Sequence, residues 1–488
     1  MRPFAPELSD VWVGVGLLVE GIALALIPAV VLRRKEPSST VAWILALIFL
    51  PGLGATLFLM FGRDRLRLPV QRKHESDRAI AHRAHHRHGR PSAALRDAAL
   101  ARLASPVERE LFRLGAALGG AEPTTGNTTE LLVDGNATYD AIGAAIDAAV
   151  HHVYAEYYLV RRGATADWLR DKLVAAAARG VSVRVLLDGY GSFFIGRRWT
   201  RSLVEAGVEV VFFLPARLLF FQPMNLRNHR KIVVVDDEVA FTGGINVGDE
   251  YRGAGGPWRD THLEVRGPAV SALGRVFEQD WYFATRRDIP RVEAAPVVKR
   301  EHGDATVAIV RSGPDITGME RETIHRVFFT AITIARSRVH ITTPYFIPDR
   351  AIVVALQTAA LRGVEVKLIF PGRSNHPFVF QAGRSFYEEL LEAGVMIYEY
   401  GPGMIHAKTM VVDGTVALVG SANMDLRSFR LNFEVHAVVR DPRTAARLDA
   451  AFAEDLALSR RVDAELFRQR GLGLRVVEGA ARLLSPLM

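Results

Sequence analysis

The chain has 488 residues, too many for one ordinary core and enough for two or more domains. Lys plus Arg outnumber Asp plus Glu by 61 to 53 and 49% of residues are apolar, a balance that suits work on an anionic membrane or on nucleic acid better than a purely soluble enzyme. With no cysteine, disulfide staples, thiolate zinc sites and cysteine nucleophiles are excluded, so any catalysis rests on other groups.

The first elements are apolar. Residues 11–32 and 41–61 each run to about the ~20 residues that cross a bilayer as a helix, which predicts a transmembrane hairpin over residues 1–61. Trp12 and Trp43 sit near span ends, as interfacial anchors do. The first span is long for a cleaved leader, its flank carries only Arg2, and a second span follows after a short turn, "RRKEPSST". Arg33, Arg34 and Lys35 in that turn are outweighed by Arg63, Arg65, Arg67, Arg72, Lys73 and Arg78 after the second span. The positive-inside rule then places the bulk of the chain in the cytoplasm. Glu20 lies mid-span, where an ionisable group is costly; it reads either as protonated and structural or as a contact to the partner helix. Residues 62–118 form a basic linker, whose "AHRAHHRHGR" tract (81–90) has interleaved arginines and no carboxylate. That composition suits a solvated, lipid-facing segment rather than a metal site.

The remainder is one unit written twice, predicted as domains 119–295 and 296–488. "RGVSVRVLLD" (179–188) returns as "RGVEVKLIFP" (362–371), and "LVEAGVEV" (203–210) as "LLEAGVMI" (390–397). Helix-period stretches, "ADWLRDKLVAAAA" and "AIVVALQTAAL", alternate with short β-branched runs, the pattern of an α/β layer fold. A third shared element is "HRKIVVVDDEVAFTGGIN" (229–246) against "HAKTMVVDGTVALVGSAN" (406–423). One His-x-Lys-x4-Asp is weak evidence; two copies, each extended by Gly-[Gly/Ser]-x-Asn and each at the same place in a repeated unit, are strong.

On an extended chain the histidine and lysine of each copy, two residues apart, leave from the same face. Brought together by pseudo-two-fold packing, the copies supply a phosphodiester site. Lys231, Lys408, Asn246 and Asn423 surround the non-bridging oxygens, and His229 and His406 stand on opposite sides of phosphorus, one to attack and one to protonate the leaving oxygen. Ser421, where the first copy has Gly244, adds a hydroxyl near the phosphate. The copies differ most just before the histidine, where the first half carries ten extra residues, 18 (211–228) against 8 (398–405). Leu218, Leu219, Phe220 and Phe221 in that segment read either as core packing or as an apolar lip that dips into the bilayer and guides acyl chains toward His229.

The doubled motif resembles the phospholipase D superfamily, and nearly the whole chain resembles its bacterial cardiolipin synthase branch. The resemblance is carried by "NLRNHRKIVVVD", "GDEY", "PWRDTHLEVRGPAV", "TPYFIPD" and "SANMDLRSFRLNFE". It implies two pseudo-symmetric α/β domains sharing one active site. It further implies a cofactor-free, metal-independent transfer in which a histidine attacks phosphatidylglycerol, glycerol leaves, and a second lipid hydroxyl captures the phosphatidyl group to give cardiolipin. The second donor stays open between phosphatidylglycerol and phosphatidylethanolamine. By the same resemblance His229 is the nucleophile and His406 the general acid and then base; Asp236 and Asp413, counted with the catalytic motif, brace it more than they touch substrate. Asp260 in "WRDTH" and Glu434 in "LNFE" are the candidates to hold the imidazoles, Glu434 being assigned to His406. The expected setting is the plasma membrane of a bacterium, multi-pass, on an anionic bilayer, with no nucleic acid partner; homo-oligomerisation is left open. A phospholipase D-type hydrolase and a membrane-anchored nuclease are the rival readings.

Overall fold

The computed structural model describes residues 8–32, 37–59, 97, 99–103, 105–118, 122–214, 226–256, 258–289, 303–314 and 322–484. They fall into two compact units. In the N-terminal unit, α1 (Leu8–Val31) is long and apolar enough over Trp12–Val31 to cross a membrane. The second expected span is not one helix. It divides into α2 (Pro37–Phe49) and α3 (Pro51–Leu57), because Pro51 lacks an amide hydrogen and pushes the preceding residue out of the helical region; Leu50 sits at φ −134°, ψ 59°. Among the described residues, only α1 therefore reaches spanning length. Ala23 and Val30 of α1 pack with Leu47 of α2 and with Ala55 and Phe58, while Trp12, Leu17 and Leu18 face outward, as suits a lipid-facing surface. The turn 33–36, the arginines after residue 60 and the 81–90 tract lie outside the described residues.

The last part of the expected linker belongs to the catalytic unit. Leu111 and Phe112, on the helix Pro106–Ala117, are buried in the core of the second half beside Ile324 and Phe328.

Within that unit the described residues form twenty strands, sixteen of them in one sheet shared by the two halves. The first half contributes β1 (Thr124–Val133), β2 (His152–Tyr157), β3 (Ser182–Asp188), β4 (Glu209–Phe213), β5 (Arg227–Asn228), β6 (Lys231–Val235), β7 (Val239–Gly243), β8 (Trp258–Arg259) and β9 (Thr261–Arg266). The second contributes β10 (Ala305–Ser312), β11 (Arg338–Thr342), β12 (Phe346–Ile347), β13 (Glu365–Pro371), β14 (Met396–Tyr400), β15 (Met404–Ile405), β16 (Thr409–Val412), β17 (Val416–Gly420), β18 (Met424–Asp425), β19 (Asn432–Arg440) and β20 (Ser459–Arg461). From the centre outward the first half runs β1-β9-β7-β6-β2-β3-β4 and the second β10-β19-β17-β16-β11-β13-β14-β20, with β5 attached to β19, while β12 with β18 and β15 with β8 form two separate pairs. The halves join where β1 pairs antiparallel with β10, Thr124 opposite Val307.

Helices cover both faces, which is why strands such as β6 and β17 are buried along their whole length. Leu131, Ile232, Leu263 and Phe277 of the first half share a core with Val307, Val411, Phe433 and Val435 of the second. The expected pseudo-symmetric pair of α/β domains is thus present, fused by a continuous sheet and a common core. Two short parallel pairings cross between the halves outside the central order: β5 with β19, Arg227 opposite Asn432, and β15 with β8, Met404 opposite Trp258.

Candidate active site

The two crossing pairs build the site. Each motif histidine follows a crossing strand directly, so its backbone lies against the other half. His229 N–H donates to the Phe433 carbonyl at 2.9 Å, and His406 N–H to the Arg259 carbonyl at 2.6 Å. The residue after each acceptor is a carboxylate, Glu434 or Asp260. Glu434 lies 3.0 Å from His229 Nδ1, and Asp260 Oδ2 lies 2.7 Å from His406 Nδ1. Each imidazole is therefore oriented by the opposite half, with Nε2 left for chemistry. The expectation that Glu434 serves His406 is corrected. The parallel register of β5 on β19 sets His229 beside Glu434, and β15 on β8 does the same for His406 and Asp260.

Lys231 and Lys408 are buried on the same face as their histidines. Lys231 Nζ donates to the His229 carbonyl at 2.6 Å; Lys408 Nζ donates to the His406 carbonyl and lies 2.9 Å from His406 Nδ1. Burial lowers the two ammonium groups to about 7 and about 8. Burial likewise lowers His229 to about 4 against the pull of Glu434, and it drives His406 well below its usual value with help from Lys408 and Lys231. Burial alone would raise Glu434, but His229, Lys231 and the Ser421 hydroxyl outweigh it and hold the carboxylate at about 2. The arrangement is two neutral imidazoles on ionisable carboxylates, each with a buried lysine of lowered pKa beside it.

The remaining expected residues divide. Asn246 accepts from Leu159 N–H at 3.3 Å and donates to Tyr251 Oη, which lies 3.3 Å from His406 Nδ1. Asn423 is buried, and its Oδ1 has no hydrogen-bond partner among the described residues. Ser421 is a correction: its hydroxyl donates to Glu434 Oε2 at 2.5 Å and accepts from Val435 N–H at 3.0 Å, so it holds the carboxylate and is not placed to hold phosphate. Gly244 stands opposite because Asp260 is closer; a Cβ there would meet Asp260 Oδ1 at 2.1 Å.

Asp236 and Asp413 are also moved out of the reacting centre, at the far ends of β6 and β16, about 16 Å of extended strand from the lysines. Each occupies the left-handed region in the turn of its hairpin, at φ 54° and 51°. Their carboxylates accept backbone amides: Asp236 from Val150, His151 and His152, Asp413 from Arg336, Ser337 and Arg338. Leu218, Leu219, Phe220 and Phe221 lie outside the described residues. No group of three or more His, Asp or Glu side chains suited to a metal ion occurs among the described residues.

Other participants escaped the sequence reading. His262 and His436, two residues beyond the carboxylates, are buried and lowered by that burial to about 3 and about 4. As neutral rings they accept from the backbone amides of Ile245 and Ala422 at 3.4 and 3.1 Å, fixing the Gly-[Gly/Ser]-x-Asn loops. The signal was present as acid-x-His in both "RDTH" and "FEVH". Arg230, the variable residue of His-x-Lys, is buried, ion-paired with Asp280, and donates to the Glu434 and Ser312 carbonyls. The Tyr158 ring stands edge-on to His229 at 4.8 Å, and Trp258 lies 5.4 Å from His406.

A family model described as "Cardiolipin synthase, PLD-like domain" matches residues 142–281 and 328–456, and one described as "Phospholipase_D-nuclease N-terminal" matches residues 23–63. The chain is 38% identical to a cardiolipin synthase of Geobacillus sp. (strain WCH70), over 98% of this chain and 96% of that protein. It is 40% identical to a cardiolipin synthase of Geobacillus thermodenitrificans (94% and 90%) and 39% identical to cardiolipin synthase 2 of Bacillus anthracis (94% and 88%). Among solved structures, a phosphatidylserine synthase of Haemophilus influenzae Rd KW20 superposes with a TM-score of 0.58 at 15% identity, over 78% of this chain and 98% of that one; that likeness concerns the fold.

Proposed function

Because the chain belongs to the cardiolipin synthase family with phospholipase D-like domains, we propose that it transfers a phosphatidyl group from one phosphatidylglycerol to another, releasing glycerol. The observation that carries the reading is the reciprocal pair of histidines, each on a carboxylate from the other half, with Lys231 and Lys408 buried beside them.

His229, neutral and held at Nδ1, offers Nε2 to phosphorus. Lys231, Lys408 and the Asn423 amide balance charge on the non-bridging oxygens. His406 protonates the departing glycerol oxygen and then takes the proton from the incoming lipid hydroxyl. Burial and the lysines disfavour a proton on His406, and the negative charge of a phosphodiester between them offsets that cost. Neither step needs a metal or an organic cofactor: the nucleophile, the proton carriers and the charge balance are all side chains. In this reading α1 crosses the bilayer, α2 and α3 together make a return pass broken at Pro51, and the catalytic unit lies on the cytoplasmic side.

The test is the purified chain in phosphatidylglycerol vesicles, with cardiolipin, glycerol and phosphatidic acid measured. Cardiolipin and glycerol in equal amounts are expected, unaffected by a chelator and lost in His229→Ala and in His406→Ala. Phosphatidic acid without cardiolipin would overturn the transfer reading in favour of hydrolysis.

A further inference from the structure

The motif residues lie at the carboxyl ends of the parallel strands β2-β3-β4 and β11-β13-β14, Lys231 opposite Tyr157 and Lys408 beside Thr409, which is opposite Thr342, the edge where open α/β sheets bind ligands. The segment after β3 is bolted to the surroundings of His229. Buried Asp188 accepts from Tyr190 and Gly191 N–H with one oxygen and from Asn228 N–H with the other, at 3.0, 2.8 and 2.8 Å. Ser192 Oγ accepts from Val160 N–H and donates to the Tyr158 carbonyl, and the Tyr158 ring rests on His229. The Arg227 guanidinium lies 3.8 Å over the Tyr190 ring.

The outer side of this anchored turn is apolar and uncovered. Phe193 is 58% and Phe194 80% exposed, their rings edge-to-face at 5.1 Å. A globular surface does not ordinarily leave two adjacent phenylalanines in water. The helix that follows, Arg197–Glu205, presents Arg197, Arg198 and Arg201 around a hollow shared with Ser202 and Glu205. The second half repeats the device. After β13, Asn375 accepts from Tyr345 Oη at 2.8 Å, the Tyr345 ring stands edge-on to His406, and Phe378 is 70% exposed. Exposed phenylalanines therefore follow the equivalent strands of both halves, each on a segment tied to an aromatic ring that stands edge-on to a motif histidine.

We propose that Phe193, Phe194 and Phe378 form an interfacial rim that inserts into an anionic bilayer, with Arg197, Arg198 and Arg201 against the lipid headgroups, so that substrate passes to the histidines without leaving the membrane surface. The occupant is a bilayer because aromatic side chains beside a net-cationic arginine cluster match the acyl boundary and the anionic headgroups in turn. The proposal rests on the lipid-transfer reading above.

The chain contains no cysteine, so Phe194→Cys, Phe378→Cys and, as control, Val150→Cys can each carry a single fluorescent label. Val150 is 68% exposed and precedes β2, at the opposite ends of the strands. In phosphatidylglycerol vesicles the labels at 194 and 378 are expected to be quenched by acyl-chain nitroxides, and the label at 150 not. Labels at 194 and 378 no more quenched than the one at 150, in vesicles that hold the protein, would overturn the rim and point to a protein partner. The double variant Phe193→Asp, Phe194→Asp should raise the surface fraction of phosphatidylglycerol needed for half-maximal rate at least fivefold, with turnover of monomeric short-chain phosphatidylglycerol within twofold of wild type. Equal loss on both substrates, or on neither, counts against it. A wild-type chain that makes no cardiolipin would sink the transfer reading, while the quenching still decides the rim.

Discussion

Asp260 and Glu434 occupy equivalent places but differ by one methylene, and their neighbours compensate: Gly244 leaves space for the shorter acid's oxygens, and Ser421 donates to the longer one. Both acids act through the tautomer of their histidine, so Asp260→Asn and Glu434→Gln should lower kcat on the order of a thousandfold while the apparent affinity for vesicles changes little. Ser421→Ala should give a smaller loss, roughly ten- to a hundredfold, since it removes one hydrogen bond to a charged acceptor, worth ~1.5–3 kcal/mol. The lysines set the pH dependence. Held at about 7 and about 8, they are cations below those values and neutral above them, and the phosphodiester binds to cations. Thus kcat/KM should fall as pH rises through about 7 to 8, and the corresponding fall in kcat should move to higher pH, because a bound anion favours the ammonium forms. A kcat/KM that stays level to pH 9 would show that these ammonium groups do not govern substrate capture.

At the scale of elements, the strand carrying His229 is locked by a buried arginine of its own, whereas beside His406 the corresponding buried pair, Arg259 with Asp455, uses an arginine from the opposite half. Arg230 reaches Asp280, on the helix Val270–Thr285, and the backbone of β10 and β19; Asn228 donates to Glu156 at 2.5 Å. Burial raises Glu156 well above the carboxylate range, with Asp280 beside it adding to the effect. Ala407 stands where Arg230 would in the second copy. Arg230→Ala should destabilise the catalytic unit by about 3–5 kcal/mol, since it leaves a buried carboxylate without its charge partner; Arg230→Ala with Asp280→Ala together should recover part of that, by urea unfolding. In the N-terminal unit Pro51 divides the second apolar segment. Pro51→Ala should join α2 and α3 and raise helical circular dichroism.

At the scale of the molecule, the crossing pairs make each half incomplete. His229 depends on Glu434 and His406 on Asp260, so neither half can orient its own histidine. Both pairs form within one chain, so mixing His229→Ala with His406→Ala protein in the same vesicles should not restore cardiolipin synthesis; restored activity would mean that the site is assembled between chains.

Much of this was legible in the sequence because it is local or repeated. The doubled motif, the alternating helix and strand periods and the first apolar helix are short-range patterns, and two copies of a pattern specify each other. The placement of His229, His406, Lys231 and Lys408 at one centre follows from that repetition, whereas Asp260 and Glu434 were candidates through the family resemblance. What only the tertiary structure decided is which groups meet. Glu434 serves His229 and not His406, because strand register between residues 205 positions apart leaves no trace in spacing along the chain. Ser421 turns from phosphate to carboxylate, because a polar side chain's partner depends on which way its strand faces; for Asp236 and Asp413 the structure adds only which backbone amides they hold. The break at Pro51 was visible as a residue, but its effect on a span was masked by uniform hydrophobicity, which measures transfer into lipid and not helix continuity. Sequence determined the chemistry available to this protein; the crossing of two short strands determined how it is paired.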